Sequence, residues 1–357
     1  MREVYFNGWG LASSLGPNLA VALENLHAPP GAQQRAILSL DQSFPYYAIA
    51  QTAGDWNERC TSLLRAVVAE AGGLQRIGAI YLASSSLNVG AIEKNEAHDK
   101  HIPDFLARLA KILDWQGPIY WINTACTSSL NAMLMAHKAI SNEVIDEALI
   151  IGFELENQLS IAGFAGMQLL STAGSKPFSS DRDGLVLGEA IAVLRLSSQA
   201  SRWQLAGGAQ VIDSSQASGA STSAYQAMLK QTLVDANLNV ADIDLIKVQA
   251  AGSIPNDAVE ADALTNFFDQ HTLPLPALLS LKPLLGHTLG ASGAAEIALL
   301  LEIIGRQTWP DQHQDADAKL RVKLASKMSF KTHTILACIL GFGGSHTCIA
   351  IKDLSTK

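Results

Sequence analysis

Two successive series of short apolar runs, alternating with longer segments of helical period, constrain this chain more than any other feature. The first series falls at 4–8, 77–83, 119–122, 148–152 and 190–196; the second falls at 204–212, 245–249, 277–280, 334–340 and 347–352. Ala- and Leu-rich stretches with apolar residues three and four apart lie between them, at 128–140, 223–237, 257–268 and 291–305. Such alternation predicts an α/β chain with helices packed on its sheets. The pattern lapses at 197–202 (SSQASR) and resumes at Trp203, so the chain is expected to divide into a half at 1–198 and a half at 199–357. Each half carries its own strands and helices, which hints at a duplicated architecture, although no repeat is visible in the residues themselves. Segments 27–36 and 309–320 read as polar or Pro-bearing loops.

Composition narrows the function. The 357 residues carry 25 Lys plus Arg against 33 Asp plus Glu, a net charge of −8, which argues against a nucleic-acid partner. Charged residues make up 16% and hydrophobic ones 48%, where soluble domains usually hold roughly 25% charged. That surface needs covering, by a large core or by another subunit. No apolar run approaches the roughly 18 residues of a membrane span: 148–153 is short and 297–304 is interrupted by Glu302. The first residues lead straight into a strand pattern without the features of a signal peptide, so a cytoplasmic location is expected. Cys60, Cys126, Cys338 and Cys348 lack C-x-x-C spacing and are expected to be reduced thiols.

Three segments could carry chemistry. Asn123-Thr124-Ala125-Cys126-Thr127-Ser128-Ser129 follows a strand and opens a helix, where free N–H groups and the helix dipole favour a thiolate and can meet an oxyanion. A small buried cysteine after a strand is more commonly an ordinary packing residue, and this segment alone does not make it a nucleophile. Lys282-Pro283-Leu284-Leu285-Gly286-His287, followed by Gly290 and small residues to Glu296, reads as a tight loop delivering two polar side chains, or as close helix packing around a satisfied histidine. Gly341-Phe342-Gly343-Gly344 permits a close approach to a ligand or an ordinary turn. Other motifs fail. Ser13 breaks a dinucleotide fingerprint begun by Gly8-Trp9-Gly10, no serine sits in a Gly-x-Ser-x-Gly elbow, and no phosphate-binding Walker loop is present. His98 and His101 stand in a charged loop without matching metal ligands. No cofactor and no metal are expected.

Taken in order, these segments resemble the β-ketoacyl-acyl-carrier-protein synthase (ketosynthase) family of thiolase-fold condensing enzymes. The likeness runs nearly end to end: VYFNGWGLASSLG at 4–16, NTACTSS at 123–129, the stretch 152–172 with Lys176-Pro177-Phe178 and 181–189 (DRDGLVLGE), then 282–296 and 341–344. It implies a five-layered αβαβα fold of two similar halves and a dimer that covers much apolar surface. It also implies acyl transfer from acyl carrier protein to Cys126, then decarboxylation of a malonyl thioester and carbon–carbon bond formation. By the same resemblance, the N–H groups of Cys126 and Phe342 form the oxyanion hole, His287 hydrogen-bonds the reacting group, and Lys282 orients it. Glu296 is the supporting carboxylate near Lys282, and Phe342 is the gate.

The resemblance breaks at Val248-Gln249-Ala250-Ala251-Gly252-Ser253-Ile254-Pro255-Asn256-Asp257. The family carries its second catalytic histidine in a His-Gly-Thr-x-Thr segment here; Ala251 takes the histidine's place, and Ser253 and Ile254 replace the threonines in a shortened loop. A methyl group cannot donate to a developing enolate, and losing one such donor typically costs about 10²–10³ in rate. Decarboxylative condensation should be crippled, while acylation of Cys126 beside His287 could survive. Ala190 stands where the family usually has Gly, and His346 where it usually has Asn; a strand-start residue like His346 is expected to spend its side chain on local hydrogen bonds. Segment 28–73 offers little for the family's usual substrate-facing insertions.

These departures resemble a chain-length-factor subunit of bacterial aryl-polyene-type or type II polyketide and fatty acid systems. The resemblance implies a heterodimer with a complete ketosynthase that uses acyl carrier protein bearing acyl or malonyl groups. The alternative is a homodimer, an autonomous synthase or acyltransferase using Cys126 and His287. Known chain-length factors replace the nucleophilic cysteine, and this chain keeps it. Cys60, Cys338 and Cys348 are expected to be packing residues.

Overall fold

The computed structural model describes residues 2–37, 42–50, 54–73, 78–99, 101–214, 219–311, 315–325 and 332–355. The strands among the described residues are β1 Val4–Ser13, β2 Gln33–Ile37, β3 Gln42–Tyr47, β4 Gly78–Ala83, β5 Ile119–Ile122, β6 Glu147–Glu154, β7 Leu187–Gly188, β8 Ala190–Ser197, β9 Trp203–Ile212, β10 Leu245–Lys247, β11 Ala277–Leu279, β12 Thr334–Leu340 and β13 Ser345–Asp353. Ten of them form a continuous sheet in the order β11-β10-β12-β13-β9-β1-β8-β6-β4-β5.

That order is the same topology written twice. In the first half, β4 is parallel to β5 and β6, β6 is antiparallel to β8, and β8 is antiparallel to β1. In the second, β10 is parallel to β11 and β12, β12 is antiparallel to β13, and β13 is antiparallel to β9. The two five-stranded units join where Val4–Phe6 of β1 pairs with 203–205 of β9.

Side-chain alternation along these strands sets the layers. The inward faces share one core with the Ser128–Ser141 and Ser292–Arg306 helices, whose Leu130, Met133, Ile297 and Leu301 pack between the two sheet units. Both helices are Ala- and Leu-rich and buried almost all round, as a central layer requires. Ile80, Leu82, Ile151 and Val193 face the other way, onto the Trp56–Glu70 and Ile102–Leu113 helices. Ile246, Leu336 and Cys348 face the Thr222–Asp235 and Ile254–Gln270 helices on the opposite side. The result is the five-layered αβαβα thiolase-like fold.

Several elements differ from what the sequence pattern implies. β1 continues through Gly8 and Gly10 because these glycines are contact points rather than stops: a Cβ would lie 2.2 Å from the Ala71 carbonyl oxygen at Gly8 and 2.5 Å from that of Val67 at Gly10. The loop expected at 27–36 contains β2, which with β3 and β7 forms a small three-stranded sheet. Its Gln33, Gln34 and Ala36 are exposed, so no buried face announces it. The Ile254–Gln270 helix begins before the expected 257, with Pro255 in its first turn, where its missing N–H is not needed. The described residues of segment 28–73 form β2, β3 and the capped Trp56–Glu70 helix, and part of 309–320 lies outside the described residues. Among the described residues no helix is long and apolar enough to cross a membrane.

Candidate active site

Cys126 sits in a strained turn. The chain leaves β5, reaches a left-handed φ of 53° at Ala125, and enters the Ser128–Ser141 helix two residues after the cysteine. Left-handed backbone is costly for a non-glycine residue, so the surroundings must hold it. Ser128 Oγ donates to the Ala125 carbonyl at 2.6 Å and accepts from Thr124 N–H at 2.9 Å. Thr127 Oγ1 and Ser345 Oγ lie 2.9 Å apart, and Thr347 Oγ1 donates to Asn131 Oδ1 at 2.8 Å, which ties the turn to β13 in the other half.

His287 arrives from the second half. Gly286 precedes it with φ of 72°, at a crossing where a Cβ would lie 2.9 Å from the Leu187 carbonyl oxygen. His287 N–H donates to the Val186 carbonyl at 2.7 Å, and Gly188 N–H donates to the His287 carbonyl at 3.1 Å. The backbone thereby fixes the imidazole with Nε2 3.0 Å from Cys126 Sγ.

The far side of the ring determines its proton. Lys282 Nζ donates to Ser292 Oγ at 3.1 Å, which frees the serine hydrogen for His287 Nδ1 at 3.0 Å; the Lys282 ammonium lies 3.4 Å from the same nitrogen. Two donors aimed at Nδ1 assign the remaining hydrogen to Nε2, facing the sulfur. Burial, then the charges of Lys282 and Lys247, hold His287 well below the usual imidazole range, so it is neutral. Burial pushes the Cys126 thiol up to about 11, against the pull of Lys282 and of the Phe342 and Cys126 N–H groups.

Beneath the ring lies a buried charge triad. Glu296 accepts from Lys282 through one oxygen and from Lys247 through the other, with all three residues at most 1% exposed. Burial would raise the Glu296 carboxyl, but the two ammonium groups override it and hold it below its ordinary value. Burial lowers Lys282 against the opposing charge of Glu296. Lys247 was not singled out from sequence: a lysine in a three-residue strand gives no sign of a partner that comes from a helix far along the chain. Glu154 was missed too. It is buried and accepts from Ser85 Oγ at 2.6 Å, Ser86 Oγ and the Gly290 N–H at 3.2 Å, locking the His287 loop against β4.

Phe342 lines the same cavity as Cys126 and is stacked on Phe164, with ring centroids 5.3 Å apart and planes 19° from parallel. Gly343 and Gly344 follow with φ of 78° and 72°; at Gly344 a Cβ would lie 1.8 Å from the Asp213 carbonyl oxygen. The turn at 341–344 therefore needs glycine at its end, which is what lets Phe342 N–H reach the sulfur.

Ala251 lies in the same cavity as Cys126 and His287. Its loop is firmly held. Asp257 accepts from the N–H groups of Ala251, Gly252 and Phe178, and Glu260 accepts from those of Gln249 and Ala250 and from Tyr225 Oη. Burial raises Asp257 to about 6 and Glu260 to about 7, against those donors. His346 is fully buried and lines this cavity; neither ring nitrogen makes a side-chain hydrogen bond among the described residues, and its local partner is the Ser345 backbone.

The remaining candidates lie elsewhere. Cys60, Cys338 and Cys348 are buried free thiols; burial pushes Cys60 up to about 12, and the Cys338 and Cys348 sulfurs face each other at 3.5 Å across β12 and β13. His101 precedes the Ile102–Leu113 helix, and no cluster of metal-binding side chains occurs among the described residues.

Comparison with known proteins gives one family throughout. Residues 103–202 match the model for the β-ketoacyl synthase N-terminal domain, and residues 206–314 match that for the C-terminal domain. The chain is 26% identical over 327 residues to nodulation protein E of Rhizobium sp. (strain N33), covering 86% of this chain and 80% of that protein. It is 28% identical over 260 residues to 3-oxoacyl-[acyl-carrier-protein] synthase 2 of Coxiella burnetii, covering 67% of this chain and 63% of that protein. Among solved structures it resembles a ketosynthase in complex with its chain length factor from Xenorhabdus doucetiae, with a TM-score of 0.81, 23% identity, and 99% and 98% of the two chains covered. The ishigamide ketosynthase/chain length factor gives a TM-score of 0.84 at 18% identity, covering 99% of this chain and all of that one.

Proposed function

We propose that this chain, which belongs to the β-ketoacyl synthase family, serves acyl-carrier-protein-dependent fatty acid or polyketide chain elongation as the chain-length-factor-like partner of a complete β-ketoacyl synthase. Its two halves divide near 198. One observation carries the reading: the cavity that holds Cys126 and His287 presents Ala251 on a loop still pinned by Asp257 and Glu260. A condensing site needs a second donor there for the enolate formed on decarboxylation, and a methyl group supplies none. The complete partner supplies that chemistry and the main docking surface for the acidic carrier, in keeping with this chain's own net charge of −8. The complex works in the cytoplasm.

A specific observation favours a second reading, acyl transfer by this chain itself. The sulfur and His287 Nε2 are 3.0 Å apart, and the N–H groups of Cys126 and Phe342 converge on the sulfur, so a thioester carbonyl there would find its oxyanion donors in place. Two measurements test the readings together: purification with and without a complete ketosynthase from the same genome, and malonyl-dependent condensation by each preparation. Condensation by this chain alone would refute the partner reading.

A further inference from the structure

The space beside Ala251 is small and, although mostly apolar, carries unsatisfied polar groups. The cavity measures about 30 Å³, enough for about two water molecules at roughly 10–15 Å³ each. Three side chains on its wall carry a buried polar atom without a partner among the described residues: Gln249 Oε1, Ser253 Oγ, and the ring nitrogen of His346 that does not meet the Ser345 backbone. Their residues are 7%, 6% and 0% exposed. Buried polar atoms left without any partner are expensive, and three on one wall point to water between them.

Position explains why His346 is available. Along β13, Ser345 and Thr347 face the Cys126 turn, whereas His346 and Cys348 face the outer helices. Ala250, Ala251 and Gly341 line the cavity together with Cys126 and His346, so one space borders both the outer-face imidazole and the sulfur. Burial lowers His346, against the charge of Asp213 and a hydrogen bond to the Ser345 backbone, so its imidazole is neutral and the nitrogen turned away from Ser345 is free to take a proton.

We propose that this cavity holds a short file of water, with His346 at its far end, that hydrolyses acyl groups carried on Cys126. The inference rests on the second reading above, that Cys126 accepts an acyl group. In the step, the near water's oxygen bonds to the acyl carbon while one of its protons passes along the file to the free nitrogen of His346. The C–S bond then breaks, its electron pair goes to Sγ, and the proton returns to the sulfur. The products are a free carboxylic acid and the Cys126 thiol. The carbonyl oxygen is held throughout by the N–H groups of Cys126 and Phe342, and His346 is a positioning and proton-accepting group that acts through water. The activity would release stalled or wrongly loaded acyl chains.

The test uses the full chain, in the complex in which it purifies, with any partner's own nucleophile replaced. Hexanoyl-pantetheine is added, the Cys126 adduct is followed by intact mass, and free hexanoic acid is quantified. The expected result is an adduct that decays to equimolar acid about tenfold or more faster than the same acyl group on a free thiol, with His346→Asn slowing decay about tenfold and leaving adduct formation unchanged. Ser253→Ala, which removes a different wall group, slows decay less. An adduct that persists as long as the free thioester overturns the proposal while leaving the nucleophile reading intact. Equal slowing of formation and decay by His346→Asn assigns it a merely structural role and also overturns it. Absence of both adduct and acid removes the nucleophile reading and this one with it.

Discussion

Cys126 Sγ and His287 Nε2 lie 3.0 Å apart although the residues are 161 positions apart and come from different halves of the chain. Neither half can hold this pair alone. The cysteine turn is tied to β13 through Thr127 and Asn131, and the histidine loop is tied to β7 and, through Glu154, to Ser85 and Ser86.

His287→Ala removes the Nε2–H that faces the sulfur and leaves the Cys126 turn intact. Acylation of Cys126 by a pantetheine thioester should slow about 10²–10³-fold, while Cys126→Ala abolishes the adduct entirely. Intact mass against time measures both. An unchanged rate in His287→Ala would remove the histidine from the reaction.

Glu296→Ala would leave two buried ammonium groups, Lys247 and Lys282, without their shared carboxylate. Stripping one partner from a buried ion pair costs about 3–5 kcal/mol, so the urea midpoint should fall sharply or the chain should fail to fold. Glu296→Gln, which keeps the shape and loses the charge, is expected between this and the parent protein. A midpoint unchanged in both variants would show that the triad contributes nothing to stability.

The fold was largely readable before the site was. The cysteine turn and the His287 loop stand out because strand, turn and helix are consecutive in sequence and their glycines and small residues mark close crossings. Lys247 carries no such mark, since its reason for burial is Glu296 on a helix of the central layer. β2 is not legible in the sequence, because a mostly exposed strand has no period-two apolar signal. A strand start such as His346 offers local partners, and the Ser345 backbone is one; that its ring also lines the cavity of Ala251 depends on two distant loops meeting, which no local pattern reveals.

Glu260 gives a pH dependence of fixed sign. Burial raises it from 4.5 to about 7, so between those values the folded chain keeps a proton that the unfolded chain has lost. Its contribution is therefore fully present below 4.5 and is lost as pH rises through about 7, on the order of 3 kcal/mol in all. His287 works in the opposite sense, since a lowered imidazole costs stability only as pH falls below its ordinary 6.5. Glu260→Gln should weaken the first trend, leaving the part carried by Asp257, which burial raises to about 6, and keep the second. Urea midpoints at about pH 5 and about pH 8 check this, and identical pH profiles for parent and variant would contradict it.

Phe342→Ala removes the ring stacked on Phe164 and enlarges the cavity beside the sulfur. Alkylation of Cys126 by iodoacetamide should speed up about tenfold, with Cys60, Cys338 and Cys348 remaining unlabelled in their cores. Mass mapping of the labelled sites decides it, and a labelling rate equal to the parent's would mean that Phe342 does not limit access.

The most direct test of the central claim is malonyl-dependent condensation measured for this chain alone, for the Ala251→His variant alone, and for the chain co-expressed with a complete ketosynthase. The account predicts no condensation by the parent chain alone, full activity in the co-purified complex, and decarboxylation gained by Ala251→His, whose loop is already held by Asp257 and Glu260. Efficient condensation by the unmodified chain without a partner would contradict it.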